Sequence, residues 1–171
     1  MNILIAGVGN LLRADDGFGI RVLKLVEKSD RLPRGVKIYE AGIAGIALVQ
    51  ELMDGYDALI IIDAIERAAQ PGTLFVVEPL PPAPDVLDGL DVHQSLVDAH
   101  YADPSKALLL ARALKVCPLH VFIVGCQPES CDEAVEELTP SVERAVPLAA
   151  ERVIELAREL MEADARLVAT R

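Results

Sequence analysis

Short apolar runs alternate along this chain with longer stretches in which apolar residues recur every three or four positions. The apolar runs lie at residues 2–6, 36–39, 58–63, 73–77 and 119–124. The third run, Ala58-Leu59-Ile60-Ile61-Ile62-Asp63, is apolar until its last residue, as is typical of a parallel strand buried on both faces. The pattern therefore predicts five strands, and this run is the central one.

The intervals between these runs carry the periodicity of helices. We predict helices over about 17–28, up to about residue 53, over about 104–114 and from about residue 139 onwards. Pro147 is expected to kink or restart the last helix, because proline lacks a backbone N–H. Alternating strands and helices imply a three-layer α/β/α fold with a twisted, mostly parallel five-stranded sheet, formed by a single domain over residues 1–171.

Composition and charge narrow the class of protein. A net charge of −11 argues against sequence-independent binding to nucleic acid or to an anionic membrane surface. No basic leader precedes the first apolar run, and no run reaches the length of a membrane span. The three cysteines lack CxxC spacing, and no extended heptad seam is evident. We therefore expect a cytoplasmic monomer with free thiols and no organic cofactor.

The first strand leads into a turn that contains both glycines and acidic residues, Gly7-Val8-Gly9-Asn10-Leu11-Leu12-Arg13-Ala14-Asp15-Asp16-Gly17. In a dinucleotide-binding fold this corner presents backbone amides to a pyrophosphate, but its third glycine position is here Leu12. Asp15 and Asp16 would also repel a pyrophosphate. A Rossmann-like nucleotide enzyme is therefore the less favoured alternative, and no GxSxG segment points to a serine hydrolase.

Three polar positions converge at the carboxyl edge of the predicted sheet, where open α/β sheets bind ligands. They are the pair Asp15 and Asp16, Asp63 at the end of the central strand, and a histidine before the third helix. Two carboxylates and an imidazole suit a borderline divalent ion such as Ni²⁺, Zn²⁺, Mn²⁺ or Fe²⁺. Taken singly, each residue has a structural alternative, since acidic residues complement a helix dipole and an aspartate can cap a turn.

At these positions the chain resembles the hydrogenase maturation endopeptidases, which process the large subunit of nickel–iron hydrogenases. The resemblance is carried by Gly7-Val8-Gly9-Asn10, Asp15-Asp16-Gly17, Gly42-Ile43-Ala44-Gly45, Ile62-Asp63-Ala64, Val124-Gly125-Cys126-Gln127-Pro128-Glu129 and Leu138-Thr139-Pro140-Ser141-Val142. It implies a compact α/β/α protein that removes a C-terminal extension once nickel has been inserted. It also implies that two acidic residues and one histidine contact that nickel.

Matched motif by motif, the resemblance assigns the two acidic residues to Asp16 and Asp63. For the histidine, the segment His100-Tyr101-Ala102-Asp103-Pro104 is similar to the family's histidine-then-helix segment. His93, which is followed by glutamine as in some relatives, is the alternative, but it would require seven extra residues before the helix. We therefore predict Asp16, Asp63 and His100 as the nickel-contacting and catalytic residues.

The resemblance implies that the nickel arrives bound to the precursor and that the three side chains complete its coordination. In an alternative mechanism, Asp16 or Asp63 activates water as a general base. A different class of function is a non-catalytic checker that binds the large subunit without cutting it. Asp15 is assigned to capping or to support of the ligands, and Cys126 to an incidental thiol.

Overall fold

A computed structural model describes residues 1–43, 45–79 and 104–169. Its strands are β1 (Ile3–Val8), β2 (Val36–Gly42), β3 (Ala58–Ala64), β4 (Leu74–Val77) and β5 (His120–Cys126). They form one five-stranded sheet in the order β2-β1-β3-β5-β4. Neighbouring strands are parallel except β4, which runs antiparallel to β5 at the edge. The predicted mostly parallel sheet, with the run at 58–63 in its centre, is confirmed.

Among the described residues, four α-helices cover the two faces of this sheet. They are α1 (Phe18–Glu27), α2 (Gly45–Leu52), α3 (Pro104–Ala113) and α4 (Pro140–Ala169). Helices α1 and α4 pack together on one face, and α2 and α3 pack together on the other. Along β1, Ile3 and Ile5 enter the first core while Leu4 and Ala6 enter the second, because successive side chains of a strand point to opposite faces.

Three local features refine the predicted elements. Strand β1 continues to Val8, so that the chain turns at Gly9, where φ is +126°. A 3₁₀ turn, Ala14–Gly17, precedes α1 and contains both acidic residues of the corner. Helix α4 runs through Pro147 without restarting. The long buried face of α4 explains this continuity, since its packing against the sheet compensates for one missing helical hydrogen bond.

No helix among the described residues is both long enough and apolar enough to cross a membrane.

Candidate active site

Asp16 is held at the carboxyl edge of β1 by a tightly folded corner. The Gly9 N–H donates to the Gly42 carbonyl of β2 over 3.0 Å, which fixes the start of the turn. The Asn10 N–H then donates both to the Asp16 carbonyl oxygen (3.2 Å) and to its carboxylate Oδ2 (3.1 Å). A side chain on Gly9 would collide with the Asp16 backbone, so the corner requires glycine there. These contacts orient the Asp16 carboxylate.

The Asp16 carboxylate is only partly buried, yet its environment favours the protonated form. Burial raises the pKa of Asp16, and the charge of Arg13 and the Asn10 N–H oppose that effect more weakly. Within the described part of the chain, its Oδ1 atom accepts no hydrogen bond. One carboxylate oxygen is thus oriented by the backbone, and the other is available to a ligand.

Asp63 lies near the end of β3, opposite Gly125 of β5, and only 6% of its surface is exposed. It lines a cavity of about 630 Å³ together with residues from the segment after β3, from the end of β4 and from the start of α3. Other charged side chains on this wall are Glu66, Arg67 and Glu78. The cavity therefore gives Asp63 a route to a ligand of substantial size.

The two predicted acidic ligands lie at the same edge of the sheet, Asp63 near the end of β3 and Asp16 in the turn that follows the neighbouring strand β1. The 3₁₀ turn that carries Asp16 contacts β3, whose end carries Asp63. Gly19 in the first turn of α1 sits directly against the carbonyl oxygens of Val8 and Ile62, where any Cβ would collide. This close approach seats α1 on β1 and β3 together. The large cavity is lined by Asp63 and not by Asp16, so Asp16 lies beside it.

The predicted histidine, His100, and its alternative, His93, both lie outside the described residues. The described chain resumes at Pro104, four residues after His100, where α3 begins. Pro104 and Ser105 line the same cavity as Asp63. The helix that follows His100 in the sequence therefore starts at the cavity wall.

Asp15 has a different environment from its neighbour. It is fully buried, and its Oδ2 accepts hydrogen bonds from the Glu129 N–H (2.8 Å), the Ser130 N–H (3.1 Å) and the Thr139 hydroxyl (2.9 Å). Its Oδ1 accepts the Thr139 N–H over 2.7 Å. Because Thr139 immediately precedes α4, Asp15 ties the corner after β1 to the loop that enters that helix. Its role in the fold is structural.

The two cysteines near this corner are poor nucleophiles. Burial, with the charge of Asp15, raises the pKa of Cys126 to about 12. Burial, with the charges of Asp16 and Asp15, raises the pKa of Cys131 to about 11. A thiol needs to ionise in order to attack a carbonyl, so neither side chain is prepared for covalent catalysis.

Gln127 organises the cavity wall, a role that the sequence interpretation missed. Its buried side chain accepts the Arg67 N–H (2.7 Å) and the Ala69 N–H (3.2 Å) and donates to Glu66 (2.7 Å). These bonds fix the segment that follows Asp63. The sequence shows only that a glutamine directly follows the last apolar strand. Its hydrogen-bond partners lie about 60 residues away in the chain, and the sequence does not indicate them.

Two exposed aliphatic side chains flank the Asp16 corner. Leu12 is 61% exposed in the turn after β1, and Ile43 is 52% exposed directly after β2. The hydrogen bond between Gly9 and Gly42 joins the two segments that carry them. Exposed apolar groups around a polar site are typical of a surface that meets another protein.

Across residues 1–43, 45–79 and 104–169, no three histidine, cysteine or acidic side chains lie close enough together to hold a metal ion. Asp16 and Asp63 are the two described members of the predicted set of three.

Comparison with known proteins identifies the family. A sequence model described as hydrogenase maturation protease matches residues 20–156. The chain belongs to the hydrogenase maturation protease family. It is 32% identical to the hydrogenase 2 maturation protease of Escherichia coli, over 93% of this chain and 92% of that protein. It is also 33% identical to the hydrogenase expression/formation protein HoxM of Azotobacter vinelandii, over 92% of this chain and 77% of that protein.

Solved structures of the hydrogenase maturation protease family share the fold. The endopeptidase HybD of E. coli superposes with a TM-score of 0.69 at 32% identity, covering 93% of both chains. A hydrogenase 2 maturation peptidase from a Thaumarchaeota archaeon gives a TM-score of 0.64 at 34% identity, covering 91% of this chain and 97% of that one. Membership in this family makes the protein a peptidase, and the two carboxylates at the sheet edge are its candidate site.

Proposed function

We propose that this protein removes the C-terminal extension of a nickel–iron hydrogenase large-subunit precursor after nickel insertion. In this proposal Asp16, Asp63 and His100 recognise the nickel that the precursor carries. The observation that carries the proposal is the pair of carboxylates at one edge of the sheet in a chain of this family, Asp63 near the end of β3 and Asp16 in the turn after the adjacent strand β1.

The environments of the two carboxylates support a site that receives a metal from outside. Asp16 is oriented through Oδ2 by the Asn10 N–H and is partly exposed, as expected of a ligand that meets an incoming ion. Asp63 reaches the same edge from the wall of a cavity large enough for a peptide segment. Carboxylate and imidazole ligands suit a borderline ion such as Ni²⁺. A precursor without nickel would offer these side chains nothing to coordinate, and this supplies the specificity.

Hydrolysis of a peptide bond also requires that a proton be removed from the attacking water. A carboxylate within hydrogen-bonding reach of that water can accept the proton, and the amine that leaves must then be protonated. Burial raises the pKa of Asp16, which makes its carboxylate a stronger base than an exposed aspartate. General-base catalysis by Asp16 or Asp63 is therefore the alternative to a role for Asp16 in contacting the nickel.

The exposed Leu12 and Ile43 support a protein substrate. They surround the corner that carries Asp16, so a precursor that reaches this carboxylate covers both side chains. We further propose that the reaction takes place in the cytoplasm and that the enzyme acts as a monomer. The cysteines of the described chain, Cys117, Cys126 and Cys131, are all free thiols, as is usual for a reducing compartment.

The test is the intact mass of a nickel-loaded large-subunit precursor before and after incubation with this protein. We expect the loss of one C-terminal peptide from the loaded precursor and no loss from the nickel-free precursor. Asp16→Asn should abolish the cleavage, while Asp132→Asn, at a side chain that is 98% exposed, should preserve it. An unchanged mass together with tight binding would replace the proposal with a non-catalytic checker. Equal cleavage of loaded and nickel-free precursor would overturn the recognition of nickel.

A further inference from the structure

Helices α1 and α4 border a groove of about 370 Å³ on the outer face of their layer. Its lining includes three exposed cations of α1 and of the residue that follows it, Arg21, Lys24 and Lys28. It also includes three apolar residues, Leu25, Val146 and Pro147, of which Val146 is buried. Positions 21, 24 and 28 recur at three- and four-residue intervals and therefore share one face of the helix.

The three cations form a local positive surface in a protein with 27 acidic and 16 basic side chains. Within the ranges that the structure describes, none of the three has a carboxylate within 4.0 Å, a property that they share with many of the other described lysines and arginines. The Arg21 guanidinium donates to the Glu136 backbone carbonyl over 3.1 Å, a contact that leaves its charge unneutralised. A localised positive surface on an acidic protein favours an acidic partner.

The groove is not uniformly basic, because Glu143 also lines it and is the one acidic residue among the lining residues. The groove therefore combines mainly cationic donors with apolar side chains. A polypeptide can offer both carboxylates and apolar side chains to such a lining, whereas a polyphosphate chain offers only anionic groups.

The position of the groove connects it to the candidate active site. Helix α1 begins two residues after Asp16, and Arg21 follows Asp16 by five residues, about 7.5 Å of helix rise. The Arg21 end of the groove therefore lies near Asp16. We propose that the groove between α1 and α4 docks an acidic segment of the large-subunit precursor, an inference that rests on the proposed function for the identity of the partner.

The test measures binding and cleavage of the nickel-loaded precursor by Lys24→Glu, Lys28→Glu and the control Lys115→Glu. Lys115 follows α3 on the opposite face of the sheet and is exposed, so the control makes the same charge change away from the groove. We expect Lys24→Glu and Lys28→Glu each to weaken binding about three- to tenfold at low salt, and the loss to shrink at about 0.5 M salt. Lys24→Gln should lose less affinity than Lys24→Glu.

The possible outcomes test the docking groove and the proposed protease function separately. Unchanged precursor mass with binding that depends on Lys24 and Lys28 supports the groove and overturns the protease proposal. Normal cleavage with equal binding by all variants, or a loss equally large for Lys115→Glu, overturns the groove. Failure of the wild-type protein to bind the precursor also overturns it. Polyuridylate that binds wild-type protein more tightly than the precursor does, and loses affinity in the same variants, would assign the groove to nucleic acid instead.

Discussion

Gly19 lies so close to Ile62 that a methyl group on its Cα would overlap the Ile62 carbonyl oxygen. The same methyl group would also overlap the carbonyl oxygen of Val8. The first turn of α1 is thereby pressed onto the ends of β1 and β3. Since Asp16 comes three residues before Gly19 and Asp63 directly after Ile62, this backbone contact holds the segment that carries Asp16 against the end of the strand that carries Asp63.

Gly19→Ala is expected to destabilise the protein by about 3 kcal/mol, because the backbone carbonyls that meet the new methyl group cannot move aside without shifting α1. Urea unfolding measures this loss. The matched control is Gly55→Ala, where no atom lies within 4 Å of the new Cβ and only the φ of +84° is unfavourable, at a cost of about 1 kcal/mol. Equal losses for the two variants would show that the contact with Ile62 is unimportant.

Asp15→Asn should destabilise the protein by about 3 kcal/mol even though the side chain keeps its size. The new amide NH₂ would face N–H or O–H donors where a carboxylate oxygen now accepts them. Urea unfolding against Asp132→Asn provides the comparison, since the exposed Asp132 pair with Arg13 is worth about 0.5 kcal/mol at most. A loss for Asp15→Asn no larger than that of the control would contradict a structural role.

The raised pKa of Asp16 predicts a pH-dependent cost to stability. Between the ordinary value of 3.8 and the raised value, the folded protein retains a proton that the unfolded chain has lost, so stability falls as the pH rises through that window. Asp16→Asn cannot ionise and should escape this loss, while its cleavage activity should fall by about 100-fold or more.

The corresponding measurement is the melting temperature of both proteins across the acidic range. The two proteins should melt together at about pH 3 and diverge as the pH approaches neutrality, with the variant the more stable. Parallel curves across the whole range would contradict the raised pKa. The activity measurement is separate, because a variant that is stabilised yet inactive cannot have lost function through unfolding.

Replacement of the two histidines before α3 tests the third predicted site residue. His100→Ala should reduce cleavage of the loaded precursor by about 100-fold or more, because it removes the one imidazole of the predicted set. His93→Ala should cleave the loaded precursor at a rate within about threefold of the wild-type rate, as expected of a residue that takes no part in the reaction. Intact mass at several times of incubation gives both rates. The reverse result would transfer the assignment to His93.

Leu12→Ser and Ile43→Ser should weaken binding of the precursor about tenfold each without lowering the melting temperature, since both side chains are more than half exposed. Leu119→Ser is the control. Leu119 is 86% exposed but precedes β5, at the opposite edge of the sheet from Asp16. Titration of immobilised precursor gives the three affinities. Equal affinities of the three variants would mean that Leu12 and Ile43 do not contact the precursor.

The sequence predicts the sheet well because a strand that is buried on both faces is apolar at nearly every position, and such a run is easily recognised in the sequence. The run at 58–63 has to be a central strand, and its terminal aspartate has to lie at the carboxyl edge. The same logic places Asp16 after β1. The antiparallel direction of β4 was not predicted. The apolar pattern of a four-residue edge strand is the same whether the strand runs parallel or antiparallel to its neighbour.

The sequence pattern does not indicate polar contacts between residues that are far apart in the chain. Asp15 and Asp16 look equivalent in the residue pattern, and the family resemblance alone assigned Asp16 as the ligand. The donors from Glu129, Ser130 and Thr139 give the physical reason why Asp15 is the structural carboxylate. Gln127 was missed for the same reason. Nothing in its local sequence indicates that its amide holds the segment after Asp63.

The bonds between Asp15 and the loop before α4 join residues that are 114 to 124 positions apart. During synthesis, the corner that carries Asp16 leaves the ribosome long before the chain that secures it. Until Glu129 has emerged, the Asp15 carboxylate has none of these four donors, and until Thr139 has emerged it has only two of them. The corner that carries Asp16 therefore gains its last stabilising contacts only after most of the chain has been synthesised.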